Sequence, residues 1–320
     1  MMYISRIRIR PDARDLHLLI DTNSYGVHQL LWKLFPAKSE GRRFLFREEV
    51  AREQIPFNKG VRGEPVFYTA SETEPITTHP LFAVEIKPYA PRLNEGDRLA
   101  FRLRANPVQL AKRKRTAEEL EQWRKKRAER GLQPTKSIER DRTEKVVRHD
   151  VVMDAQQRLL RELAEKTGVS VNGKKSDMKK DLLASWRHVT EIQSTEDILR
   201  KVILENERYE DVAISRFNTA RLLDTALKAS MNKALETWLS RKGESCGFTL
   251  AHDVSGRLKF QAEGYQWHAL PKKGKMAGFS SVDFEGELEV TDTSLFSKAL
   301  FTGIGPAKGF GCGLMLVRRV

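Results

Sequence analysis

Seven histidines are the side chains of this sequence that titrate near neutral pH and can therefore carry protons. His17, His79, His149, His188, His252 and His268 form no HxH or HxxxH pair with carboxylates at metal-ligand spacing, so their order does not point to a metal site. His28 has a different neighbour. Tyr25 precedes it by three residues, a spacing that puts phenol and imidazole on one face of a helix. Taken alone, a histidine near the start of an amphipathic helix is an ordinary boundary residue. Cys246 and Cys312 are the only cysteines, too few for a disulfide framework or a cysteine-based zinc site, and both read as small packing residues.

Phosphate chemistry has more candidates. Residues 303–313, GIGPAKGFGCG, hold five glycines and Lys308. This is neither a Walker motif nor a dinucleotide-binding fingerprint. Its glycines, Gly305 and Gly309 among them, allow backbone N–H groups to approach a phosphate closely, and the competing reading is a tight interdomain turn. Arg102 and Arg104 alternate with apolar residues on one strand, where they can grip successive phosphates or line a solvated edge. Lys272, Lys273 and Lys275 sit in a loop that can track a polyanion or simply aid solubility, and residues 112–115, KRKR, are the densest basic run. Trp123, Trp186 and Trp238 fall in helical patterns and read as packing residues.

The elements that must position these residues can be read from periodicity. Residues 3–10 alternate as a strand with one buried and one basic face. Val27, Leu30, Leu31, Leu34 and Phe35 repeat at helical spacing until Pro36. Residues 43–49, 65–70 and 81–88 read as strands, giving the order strand, helix, strand, strand, short connection, strand over the first 90 or so residues, close to a ferredoxin-like split βαβ. A second such order begins with the strand at 98–104. It is interrupted by a segment expected to be mostly helical over 108–243, with helices at 117–130 (opened by a Thr116–Glu119 capping box), 154–166, 177–187, 195–207 and 219–242, and an extra strand at 145–152. Strands at 247–252, 257–268 and 279–291, a helix at 295–301 and a terminal strand complete it. The expected fold class is α+β: two tandem ferredoxin-like domains at 1–93 and 94–320, the second carrying a largely helical insertion at about 113–230.

With 320 residues, 40% of them hydrophobic, the chain can bury two cores, and 57 Lys and Arg against 43 Asp and Glu give a formal charge of +14. Such a balance points to a polyanionic partner, because neutralising phosphates releases condensed counterions. No window approaches the ~18 consecutive apolar residues of a membrane-spanning helix, and the first residues lack the apolar core of a secretory signal, so a cytoplasmic, non-membrane protein is expected.

Read together, MYISRIRIR at the start, YxxH opening a helix that ends in LWKLFP, FRLRANP, ETWLSRKGE followed by GF, SVDFEGELEV and GIGPAKGFGCGLM resemble the CasE family, the CRISPR repeat-processing endoribonucleases of the type I-E Cascade system. The resemblance covers residues 1 to about 110 and about 231 to 320, and FRLRANP and GIGPAKGFGCG are its most specific parts. It implies a metal-independent, cofactor-free cut at the 3′ side of a repeat hairpin in precursor crRNA, leaving a 5′-hydroxyl and a 2′,3′-cyclic phosphate. It also implies that the crRNA product stays bound beside other Cascade subunits. Its reactive pair falls on His28 and Tyr25. Imidazole suits either proton transfer of such a reaction, the phenol can orient ribose or phosphate beside it, and Lys33, well off that helix face, is a weaker source of charge stabilisation. The long middle segment departs from the compact members of the family. A non-catalytic RNA-binding scaffold anchoring a guide RNA end is the alternative from another class, and a duplex-DNA binder a third.

Overall fold

The computed structural model describes residues 2–10, 24–35, 44–50, 65–131, 143–186, 192–214, 217–270 and 277–320. In chain order the first elements are β1 (Tyr3–Ile9), α1 (Ser24–Trp32), β2 (Phe44–Val50), β3 (Pro65–Ser71) and β4 (Phe82–Pro88). The strands make an antiparallel sheet in the order β2-β3-β1-β4, the ferredoxin arrangement, with an irregular connection in place of a helix between β3 and β4. Alternation on β1 decides the faces. Ser5, Ile7 and Ile9 are buried, while Arg6 and Arg8 are exposed and share Glu85 of β4. On the buried side Val27, Leu30, Leu31, Leu34 and Phe35 close over Ile7, Phe44, Phe46, Phe67 and Phe82.

The chain continues through β5 (Arg98–Ala105), β6 (Val108–Lys114), α2 (Ala117–Ala128), β7 (Glu144–Asp150), α3 (Val151–Lys166), α4 (Lys175–Trp186), α5 (Ile192–Leu204), α6 (Glu210–Ile214) and α7 (Thr219–Cys246). Residues 108–114, expected within a helical segment, are instead a strand. The partner that satisfies its backbone, β7, lies beyond the whole of α2, paired from Val108↔Asp150 to Lys114↔Glu144. The Thr116–Glu119 capping box forms as read. The strand expected over 145–152 stops at Asp150, whose carboxylate accepts from Met153 N at 2.9 Å, so Val151 and Val152 become the buried first turn of α3. Helix α7 runs past the expected residue 242 and stops at Gly247, which is left-handed at φ +75° and has no room for a Cβ, which would stand 2.3 Å from Asp292 O.

Two cores share α7. Its N-terminal half buries Leu222, Leu223, Ala226 and Leu227 against α3, α4 and α5 through Leu160, Leu163, Leu182, Leu199 and Ile203. Its C-terminal half buries Leu235, Trp238 and Leu239 under the second sheet. That sheet is completed by β8 (Phe248–Leu250), β9 (Phe260–Ala269), β10 (Gly278–Val290), α8 (Thr293–Thr302) and β11 (Met315–Arg319). Its order, β11-β5-β10-β8, repeats the ferredoxin arrangement, and β9 extends the β8 position along the same edge of β10. Leu45 and Ala70 of the first sheet pack against Leu314 beside the second. Among the described residues no helix is long and apolar enough to cross a membrane.

Candidate active site

The apolar repeat that seats α1 on its sheet leaves His28 at the edge of the buried stripe, half-buried. Its ring stacks on Phe46 at 5.7 Å and 25°, leans on Phe44 at 5.4 Å, and meets Trp32 edge-on at 5.2 Å, one helical turn away. Phe44 and Phe46 reach it together because alternate residues of a strand share a face. Burial among these rings pushes the imidazole below its ordinary value of 6.5, and no neighbouring charge offsets the effect, so the ring is neutral at pH 7. Tyr25 falls in the first turn of the same helix. Lys33 lies just past its end, exposed, with its charge toward His79 rather than His28.

The glycine-rich segment straddles β2. On one face a Cβ at Gly303 would stand 2.9 Å from the Leu45 side chain; on the other, a Cβ at Gly311 would stand 3.2 Å from the Phe46 ring. Between them residues Lys308–Phe310 make a single 3₁₀ turn that touches both α1 and β2. A Cβ at Gly309 would lie 3.9 Å from His28 Cε1, the ring carbon bonded to both nitrogens, so the glycine turn sits beside that edge of the imidazole and a larger side chain there would reach it. Lys308 donates from Nζ to Thr302 O at 2.6 Å, and a Cβ at Gly305 would lie 3.6 Å from the Trp238 ring. Phe310 packs on Phe279 at 4.9 Å and Phe279 on His268 at 4.6 Å, while His268 Nε2 is hydrogen-bonded to Ser281 Oγ at 2.8 Å. This aromatic run ties the turn to the β9–β10 hairpin. Lys272, Lys273 and Lys275, in its connection, lie outside the described residues.

Arg102 and Arg104 share a face of β5, and their guanidinium groups meet carboxylates. Arg104 pairs with both oxygens of Asp283 at 3.0 and 2.9 Å and donates to Glu48 O at 3.5 Å. Arg102 lies 3.2 Å from Glu285 and 3.6 Å from Glu49. Arg47, only 3% exposed, completes the cluster through Glu49 at 2.5 Å and Asp283 at 3.2 Å. These pairs fasten β2, which carries Phe44 and Phe46, to the second sheet. Arg47 was not legible from sequence: a basic residue in an alternating strand looks like any solvated one until its partner, far along the chain, is placed.

Cys312 is buried, and burial pushes its thiol up to about 12, in keeping with a packing role; Cys246 is partly buried. Trp186 and Trp238 are core residues as read. Among the described residues no group of three or more His, Cys, Asp or Glu side chains is placed to hold a metal ion.

Two sheets, each in the ferredoxin order, with a half-buried imidazole beneath a glycine-rich loop, define a protein of two ferredoxin-like domains and α+β class. The chain belongs to the CRISPR associated protein family, whose model matches residues 2–216 and 206–319. It is similar to the CRISPR system Cascade subunit CasE of Escherichia coli (strain K12), 33% identical over 116 residues, which is 36% of this chain and 51% of that protein. The match thus spans about half the length of that relative. Its fold is similar to that of Thermus thermophilus Cse3 bound to an RNA representing a pre-cleavage complex, at 21% identity, 99% of this chain, 98% of that chain and a TM-score of 0.51. It is likewise similar to a CRISPR endoribonuclease Cse3 bound to a 19-nucleotide RNA, at 21% identity, 99% of both chains and a TM-score of 0.50.

Proposed function

We propose that this protein is a metal-independent endoribonuclease that cuts CRISPR repeat hairpins in precursor crRNA and retains the crRNA beside other Cascade subunits in the cytoplasm. The observation that carries the reading is the seating of the glycine turn beside the edge of a half-buried, neutral imidazole. A neutral imidazole is a proton acceptor. Its nitrogen takes the ribose 2′-hydroxyl proton, the 2′-oxygen attacks the adjacent phosphorus, and the bond to the 5′-oxygen breaks as that oxygen takes up a proton from water, the imidazolium then returning its proton to solvent. The products are a 2′,3′-cyclic phosphate and a 5′-hydroxyl. Tyr25 orients the ribose or phosphate, and backbone N–H groups around Gly305 and Gly309, with Lys308, face the phosphate charge. Lys272, Lys273 and Lys275 track the hairpin backbone, Arg102 and Arg104 act through the cluster that fastens β2, and Lys33 adds only long-range charge. The domains divide at residues 93/94, with the insertion at about 113–230.

The test is to incubate the purified full chain with a repeat hairpin in EDTA. Cleavage is expected, and His28→Ala should lower its rate by about 10²–10⁴-fold while hairpin affinity stays within a few-fold, since the imidazole acts on the transition state. Intact, tightly held RNA would favour the scaffold, and equal affinity for duplex DNA would contradict both RNA readings.

A further inference from the structure

The ribbon formed by β6 and β7 projects from the second domain and takes no part in the site at His28. Residues directly opposite in an antiparallel pair share a face. On one face Ala111 and Val147, and Arg113 and Lys145, lie toward α2, where Glu119 holds Arg113 at 2.6 Å and Lys145 at 3.4 Å. On the other face stand the pairs Leu110–Arg148, Lys112–Val146 and Lys114–Glu144. Nothing described covers this face: Leu110 is 68% exposed and Val146 56%. Lys112, Lys114 and Arg148 are exposed and make no ion pair among the described residues, and the face's two carboxylates stand at its ends, Glu144 opposite Lys114 and Asp150 opposite Val108, where Asp150 caps α3. The ribbon's root touches the glycine-rich loop. Trp238 Nε1 donates to Val108 O at 3.1 Å, and a Cβ at Gly305 would lie 3.7 Å from Asn106 O.

From these observations we infer that Lys112, Lys114 and Arg148, with Leu110 and Val146 between them, form a second contact for RNA phosphates, continuing outward from the cleavage site. The inference rests on the RNA-processing reading above. Residues i and i+2 of a strand lie ~7 Å apart, so the lysines present a row of separated charges rather than one point. Seven residues of a two-stranded ribbon cover roughly 23 Å by 5 Å, far below the ~1,000 Å² that a stable protein interface buries, whereas each phosphate contact contributes independently through counterion release.

The experiment compares the full chain with the triple variant Lys112→Gln, Lys114→Gln, Arg148→Gln, titrating a repeat hairpin with and without a single-stranded extension at several salt concentrations. The variant is expected to bind roughly tenfold more weakly, with the slope of log affinity against log salt reduced by ~2, at ~0.7 per lost phosphate contact. Loss with both RNAs identifies the stem as occupant and loss with the extended RNA alone identifies the flank; either supports the inference. Unchanged affinity and slope with both RNAs overturns it, including the case in which the variant loses only a protein partner. The parent chain separates this failure from a deeper one: if it cuts the hairpin while the variant binds equally well, the ribbon contact alone is wrong, and if it neither binds nor cuts, both readings fall.

Discussion

His28 rests on Phe44, Phe46 and Trp32, and that apolar bed sets its acid–base behaviour. Removing water from the ring disfavours the imidazolium, so its midpoint lies below 6.5. The unfolded chain then binds a proton that the folded chain refuses, and this residue's contribution to stability, full above pH 6.5, is lost as pH falls from there through the lower midpoint of the folded ring. The reaction inherits the same sign. If the neutral ring is the base, the single-turnover cleavage rate should fall on an acid limb whose midpoint lies below pH 6.5, and that limb should be absent from the residual activity of His28→Ala. A limb centred at or above pH 6.5 would contradict the buried-base account. The helix that carries His28 was legible in the sequence through the apolar repeat from Val27 to Phe35. Its aromatic bed was not, because Phe44 and Phe46 belong to another element and only sheet pairing brings them beneath the ring.

The glycine-rich segment combines two tasks that side chains would spoil in different ways. Gly311 is left-handed at φ +82° and faces the Phe46 ring, so Gly311→Ala should destabilise the protein by about 1–3 kcal/mol, read as a lower melting temperature. Gly309 has ordinary backbone and ordinary space, so Gly309→Leu should melt near the parent but cut far more slowly, its side chain lying over the imidazole edge. A large melting loss in Gly309→Leu, or parent-like cleavage, would separate the turn from the chemistry. Of the two readings of this segment from the sequence, the tight interdomain turn describes how the loop seats on Leu45 and Phe46 of β2, while close backbone approach to a phosphate belongs to the proposed function. Strand β6 was hidden for the opposite reason. Its basic, two-sidedly exposed sequence has no period-2 apolar signal, and its identity depends on β7, beyond α2.

At the scale of the whole molecule, the repeated order of strands and helices was visible because each ferredoxin-like unit has its own alternation and its own core. How the units dock was not, since Arg47 meets Asp283 and Arg102 meets Glu49 only across the two sheets. Asp283→Asn removes the carboxylate shared by buried Arg47 and Arg104. Because Asp283 is partly open to solvent, a loss of about 2 kcal/mol is expected, short of the ~3–5 kcal/mol of a wholly buried pair, and cleavage should fall with it as β2 loosens beneath His28. A denaturant melt and a rate on the same variant check both parts. The net charge of +14 fits a molecule that meets a polyanion over several surfaces, but the reacting atoms decide what it does to that polyanion.

End-group analysis of repeat RNA cut in excess chelator reads those atoms directly. Attack by the ribose's own oxygen predicts a 2′,3′-cyclic phosphate on one fragment and a 5′-hydroxyl on the other, whereas a 3′-hydroxyl with a 5′-phosphate, or cleavage that stops once metal is withdrawn, would contradict the account.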